Sequence, residues 1–386
     1  MVNAQQQNPQ NQPVVNSGNT QQPNINVQQT LSVQNANIGT FLDLCETRNA
    51  SDLHFTVGYP PLLRVDGKLE RVGSEPITQE KSEELFVSII DKKQLKRYHE
   101  DKELDFSYQH TSGSRFRVNL YFERGNMAGA FRLIPARIRT ITELGLPDVI
   151  ESFTKLPHGL VLVTGPTGSG KSTTLAAVLN EINLTYPKHI ITIEDPIEYL
   201  YGKGQALVDQ REIGKDSMSW KNALKYLLRQ DPDVVLVGEM RDFETISSTI
   251  TVAETGHLVF ATLHTNSAAQ TIDRIIDVFP EHQQDQVRAQ LAVVLQAVVS
   301  QRLVPLIGGG RKAVHEILIG TAAVRNAIRE GKTYQIDNII QTSADAGMFL
   351  IEKPLAELVR NGEITSEAAL EYTNKPSELK NLIGSN

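Results

Sequence analysis

The 386-residue sequence predicts an α/β protein in two parts: a small α+β domain over residues 37–135, and a domain over 143–386 built on a mainly parallel sheet with C-terminal helices. Three observations predict it. Short apolar, β-branched runs (Leu160–Val163, Ile190–Ile193, Val234–Val237, His257–Leu263) alternate with helical patterns, the mark of a buried parallel sheet with crossover helices. Ahead of them, strand-length segments are separated by glycine-containing turns. Finally, Gly165-Pro-Thr-Gly-Ser-Gly-Lys171-Ser172 follows the first apolar run and opens the helix-compatible segment Thr173–Asn180, the strand–loop–helix setting of a phosphate-binding loop.

Composition narrows the classes. With 38 Lys+Arg against 45 Asp+Glu, the net charge of −7 disfavours a nucleic-acid-binding surface. The single cysteine, Cys45, allows neither an intrachain disulfide nor a tetracysteine zinc site, and a reducing, cytoplasmic setting is expected. No apolar stretch is long enough to span a bilayer and no signal-peptide pattern opens the chain, so neither secretion by that route nor membrane insertion is expected.

Taken in order, residues 1–36 are rich in Gln, Asn, Pro, Ser and Thr, and this composition predicts a disordered tail. Thr40–Asp43 reads as a helix start with Asp43 at N3, and Phe41, Leu42 and Cys45 share a face, which makes Cys45 a core residue. Asp52–Val57 and Pro61–Val65 read as strands joined at Gly58-Tyr-Pro60, with Asp66-Gly67 continuing the hairpin. Thr78 to about Glu100 is helical in pattern. Glu103–His110, Arg115–Phe122 and Met127–Leu133 read as strands with Gly113 and Gly125 at the turns. Arg115, Arg117, Arg124 and Arg132 cluster in this half, either as a solvated sheet face or as guanidinium forks for phosphate oxygens. Residues 136–142 read as a linker. Beyond Ala268 the pattern turns helical: Thr271–Asp277, Gln284–Gln301, Thr321–Glu330, Thr333–Gln341, Leu350–Asn361 and Ser366–Tyr372.

The chemistry concentrates where open α/β sheets place ligands, at the C-terminal ends of the strands. Gly165, Gly168 and Gly170 permit a loop whose backbone N–H groups cradle a phosphate at a helix N-terminus; Pro166, Thr167, Ser169 and Thr173 complete the nucleotide-binding stretch. Lys171 reaches the β- and γ-phosphates, and the Ser172 hydroxyl coordinates Mg²⁺. After the second run, Glu194-Asp195-Pro-Ile-Glu198 carries three carboxylates, and Glu198 is the candidate general base for an attacking water. After the third, Asp231–Asp242 delivers Glu239 to the outer Mg²⁺ shell, although pairing with Arg241 alone is the plainer alternative. After the fourth, His264 ends a strand as a candidate γ-phosphate sensor. His257, which opens that strand, is a further nucleotide-binding candidate.

With these residues assembled, the chain resembles the secretion-superfamily hexameric ATPases over residues 38–375, and within them the PilT family of type IV pilus retraction ATPases. The resemblance rests on Leu228-Arg-Gln-Asp-Pro-Asp-Val-Val-Leu-Val-Gly-Glu-Met-Arg-Asp242, and on Ile193–Glu198 and Ala253–Thr265, which look like the Asp and His boxes. Ala323-Val-Arg-Asn-Ala-Ile-Arg-Glu330 is similar to the Ala-Ile-Arg-Asn-Leu-Ile-Arg-Glu helix of retraction motors; it departs at Val324 and Ala327, both still apolar. Extension and secretion ATPases of this superfamily usually carry a large extra N-terminal domain and often a tetracysteine zinc motif, neither of which is seen here. The resemblance implies a PAS-like N-terminal domain joined to a RecA-like P-loop ATPase domain, with ATP and Mg²⁺ bound between them. It further implies a homo-hexamer, and Arg115, Arg117 and Arg132 approaching the γ-phosphate. The motor would work at the cytoplasmic face of the inner membrane, on a pilus platform protein that alone ties it to the membrane. Rival expectations are a pilus-extension, secretion or accessory retraction ATPase, a RecA-like nucleic-acid translocase, and a non-hydrolysing nucleotide-gated adaptor.

Overall fold

Asn37, not Thr40, starts the first helix. Its side chain accepts from the Thr40 N–H at 3.0 Å and opens α1 (Ile38–Thr47), in keeping with asparagine's strength as an N-cap. The computed structural model describes residues 32–65, 67–134 and 137–384, so residues 1–31 of the expected disordered tail lie outside the described residues. Residues 32–36 correct the tail's expected boundary: Val33 is fully buried and its N–H donates to Glu75 at 3.0 Å.

The N-terminal half is an antiparallel sheet. Its strands are β1 (Asp52–Phe55), β2 (Leu62–Val65), β3 (Lys68–Arg71), β4 (Glu103–Gln109), β5 (Arg115–Glu123) and β6 (Asn126–Ile134), in the order β3-β2-β1-β6-β5-β4. The single helical stretch expected over 78–100 is two helices, α2 (Gln79–Val87) and α3 (Lys92–Asp101). The break falls where Asp91 opens a capping box with Gln94, because a side-chain cap there satisfies N–H groups that a continuous helix would otherwise bond itself. Phe55 sits edge-on to Phe41, Phe86 and Phe131 at ring separations of 5.2, 5.9 and 5.5 Å. Cys45 is in the same core, and burial pushes its thiol up to about 12, which leaves it an inert packing residue.

The second half begins with α4 (Asp148–Ser152) and holds a seven-stranded sheet in the order β13-β12-β7-β11-β10-β8-β9. The four apolar runs become its centre: β7 (Gly159–Thr164), β8 (His189–Glu194), β10 (Val234–Val237) and β11 (Leu258–Leu263), all parallel to their neighbours. Alternate residues serve different cores. Leu160 and Leu162 join one cluster with α7 (Phe243–Glu254), α8 (Ala268–Asp277) and α9 (Glu281–Val294), while Val161 and Val163 join another with α5 (Lys171–Thr185). This two-sided burial explains why these strands read as continuous apolar runs. α6 (Trp220–Leu227) packs with the first cluster.

Three sheet elements, β9, β12 and β13, depart from expectation. β9 (Leu207–Glu212) is an edge strand whose half-exposed, polar sequence hid it. The expected helix over 284–301 stops at Val294, and the chain runs into β12 (Leu295–Pro305), which lies between β7 and antiparallel β13 (Arg311–Ile319). Ala297, Val298 and Val299 are buried in that central position, where sheet pairing overrides helical periodicity. The C-terminal helices follow: α10 (Ala322–Arg329), α11 (Ile336–Thr342), α12 (Glu352–Arg360), α13 (Ser366–Glu371) and α14 (Pro376–Gly384), the last not foreseen. In α10, Val324, Ala327 and Ile328 all face the core, so both departures from the retraction-motor helix keep an inward apolar residue. No hydrophobic cluster among the described residues contains side chains from both halves.

Candidate active site

The loop after β7 is shaped by what lies beneath it. A Cβ at Gly165, where φ is +144°, would stand 2.2 Å from the Gln301 carbonyl oxygen, and one at Gly170, φ +88°, would stand 2.8 Å from the Gln301 amide. Only glycine fits either position. The buried Gln301 side chain donates to the Ser169 carbonyl at 2.7 Å and accepts from Thr174 at 2.7 Å, fastening the loop and the first turn of α5 to β12. Gly170 is the N-cap of the 15-residue α5 and offers no side-chain cap, so the helix's first N–H groups stay available to an anion. Ser169 Oγ is buried without a partner, another donor for a phosphate oxygen.

Lys171 is 8 % exposed and donates to the carbonyls of Gly165 and Pro166 at 2.8 and 3.1 Å. Burial lowers its proton affinity, while Glu239 and Glu198 pull it back up. An ammonium held by two backbone carbonyls keeps its three donors in the pocket, the arrangement a phosphate-binding lysine requires. The loop, Lys171, Ser172 and Thr173 line one cavity of about 550 Å³, together with Asp195, Glu198, Glu239, His264, Arg117 and Arg132. A nucleotide and its ion match this donor set in size and charge.

Glu239, just past β10, bonds Arg241 at 2.7 Å and His264 at 3.0 Å. Burial works to raise its pKa, but Arg241, then His264 and Lys171, hold the carboxyl below the ordinary range. It therefore stands ionised, and the plainer pairing with Arg241 is the one the structure shows. Glu198 takes its place from Glu194, which accepts from the Glu198 N–H at 3.3 Å and from the Thr192 hydroxyl at 2.7 Å.

Not all expected residues converge. His257 sits at the N-terminal end of β11, opposite the cavity, with Nδ1 against Thr255 at 3.0 Å and the Val252 carbonyl at 3.1 Å. A six-residue strand separates the two ends, so within this chain His257 is a capping contact and not a nucleotide ligand. Arg115 likewise does not line the cavity; it is 11 % exposed and faces Glu212 at 3.7 Å. Arg117 and Arg132 do line it, on Asp105 at 2.7 Å and Asp52 at 2.9 Å respectively. Arg124 lies at the β5–β6 turn beside Glu123. Sequence reasoning missed Gln301, Trp220 and Arg311 among the residues that shape or line the cavity. The polar trio Ser300-Gln301-Arg302 between apolar Ala297–Val299 and Leu303-Val304 was the signal that could have found Gln301.

Glu194 also sets a pH dependence. Burial lifts its carboxyl from the ordinary 4.5 to about 7, against the bonds from Thr192, Glu198 and Gln210. Its protonated form is the one the fold favours, so the stability it lends is complete below pH 4.5 and is lost as pH rises toward 7. The difference is on the order of 3 kcal/mol. Thermal midpoints of wild type and Glu194→Gln at pH 5 and pH 8 are expected to diverge, with wild type losing ground at the higher pH; parallel midpoints would exclude this role.

Comparison with known proteins fits this geometry. Residues 47–309 match the model of a family described as type II/IV secretion system protein. The chain is 49 % identical over 329 residues to the type IV pilus retraction ATPase PilT of Pseudomonas aeruginosa, covering 85 % of this chain and 96 % of that protein. It is 48 % identical over 310 residues to a twitching motility protein of Neisseria gonorrhoeae, covering 80 % and 83 %. Among solved structures, the pilus retraction motor PilT with bound ADP superimposes with a TM-score of 0.82 at 43 % identity, over 89 % of this chain and 99 % of that one.

Proposed function

The chain belongs to the type II/IV secretion system protein family, and on that premise we propose that it is a Mg²⁺-dependent ATP hydrolase that powers retraction of a type IV pilus. The observation that carries this is the convergence of Lys171, Ser172, Glu198, Glu239 and His264 on one cavity, with Arg117 and Arg132 of the other sheet lining its far side. Loop N–H groups and Lys171 bind the phosphates. Ser172 and Glu239 hold the Mg²⁺ ion, which neutralises phosphate charge when bound. Glu198 orients or deprotonates the attacking water, and His264 reads the γ-phosphate through its bond to Glu239. Arg117 and Arg132 approach the phosphates from the N-terminal sheet, so that loss of the γ-phosphate changes the angle between the halves.

A ring of six copies turns that change into motion of a platform protein at the cytoplasmic face of the inner membrane. No helix among the described residues is long and apolar enough to cross a membrane, consistent with attachment through that partner. Retraction is favoured over extension by the similarity to a retraction ATPase along 96 % of its length and by the inward-packed α10. Deleting the gene and imaging labelled pili tests it. Pili that assemble but do not retract are expected; bare cells would assign extension instead.

A further inference from the structure

We propose that Glu212 is a positioning residue: its carboxylate ties the loop that carries Glu198 to the strand pair that carries Arg117, so that the two residues face one another across the nucleotide cavity. Glu212 ends the edge strand β9, in register with Glu194 at the end of β8. Its side chain is 7 % exposed. One carboxylate reaches both halves of the molecule. On its own side, an oxygen accepts from the Ile197 N–H at 3.2 Å, one residue before Glu198. On the other side, its two oxygens accept from the Ser107 hydroxyl of β4 at 3.1 and 2.9 Å. Arg115 of β5 completes the cluster, 3.7 Å from Glu212 and donating to Ser107 at 2.9 Å.

The sheet register makes this grip consequential. Ser107 lies directly across from Arg117 in the β4–β5 ladder, so holding Ser107 holds the backbone that aims Arg117. Arg117 lines the cavity with Asp195 and Glu198, and both carboxylates, after Asp105, strengthen its charge. Glu212 itself is rigidly mounted. Its N–H donates to Asp216 at 2.9 Å and its carbonyl accepts from Lys215, Asp216 and Ser217, closing the turn after β9. A buried carboxylate with this many donors is a fixed point, because removing any one leaves charge without compensation. A fixed point shared by the neighbours of Glu198 and Arg117 sets their separation without touching substrate.

This inference rests on the reading of Glu198 and Arg117 as parts of a hydrolytic site. The test is ATP turnover and fluorescent-ADP binding by the full chain carrying Glu212→Gln, alone and combined with Arg117→Ala. Glutamine keeps the size but presents an N–H₂ where an acceptor is needed. Turnover is expected to fall about 10–100-fold, the scale of a sub-ångström to 1 Å misplacement, with ADP affinity unchanged within a factor of about two. In the Arg117→Ala background the same change is expected to have little further effect, since residues acting as a unit are non-additive. Ser107→Ala, which removes the link without stranding a charge on β5, is expected to reproduce part of the loss, and it serves if Glu212→Gln folds poorly. Wild-type turnover in both single variants, an undiminished Glu212→Gln effect in the Arg117→Ala background, or loss of ADP binding in step with turnover would overturn the proposal. Wild-type turnover by Glu198→Ala would instead overturn the reading of the site on which it rests.

Discussion

Lys171→Ala is expected to eliminate measurable ATP hydrolysis and to weaken nucleotide binding. Lys171 is the one buried ammonium in the loop, held by two backbone carbonyls and drawn toward the cavity by Glu239 and Glu198. A charge-assisted hydrogen bond is worth about 1.5–3 kcal/mol, so its loss lowers ATP affinity roughly 10–150-fold, and loss of a donor to developing transition-state charge lowers turnover by about a further 10²–10³. The fold should survive, because alanine is a good helix former at the first residue of α5 and the Gln301 bonds to Ser169 and Thr174 remain. Calorimetric titration with ATP and a phosphate-release assay check both halves of the expectation. Unaltered affinity would remove Lys171 from the phosphate site.

Glu198→Ala should separate the two quantities. Glu198 lines the cavity without bonding Lys171 or the loop, so the nucleotide should bind with near wild-type affinity while turnover drops about 10²–10⁴-fold, the usual cost of a lost general base. Single-turnover quench against fluorescent-nucleotide binding distinguishes this from a binding defect. Because the alanine keeps the backbone N–H that Glu194 accepts, the Asp195–Glu198 loop should keep its path. Turnover near wild type would pass the base role to another group, with Glu194, at a pKa of about 7, the nearest alternative.

Much of this site could be read from the chain because its strongest parts are local. Gly165–Ser172 is contiguous, and Glu198, Glu239 and His264 each follow an apolar run that could only be a buried strand. What escaped is what depends on contacts distant in sequence. Gln301 acts on the loop from β12, and Val294–Leu295 turns from helix to strand because β7 and β13 offer pairing on both sides. β9 alternates partly exposed residues at a sheet edge and so lacks the apolar run that announced the others. The arginines of β5 show the limit most clearly. Arg115 and Arg117 share one face of a strand two residues apart, yet one lines the cavity and the other is held by Glu212; no local pattern distinguishes them. His257 shares a sequence motif with His264, yet the length of β11 carries it to the far end of the sheet.

Among the described residues the hydrophobic clusters fall into sets that do not cross between the halves, and this has a thermal consequence. The heat capacity of a conformational change follows the apolar surface it exposes. A swing of one sheet against the other about the polar Ser107–Glu212 contact, with each oily interior left closed, exposes little of it. Its enthalpy is then nearly constant with temperature, and the balance between open and closed joints follows a straight van't Hoff line without the curvature of unfolding. A joint of this kind answers to what is bound in it, and warming shifts its balance steadily, without the turnover that a large heat-capacity change imposes.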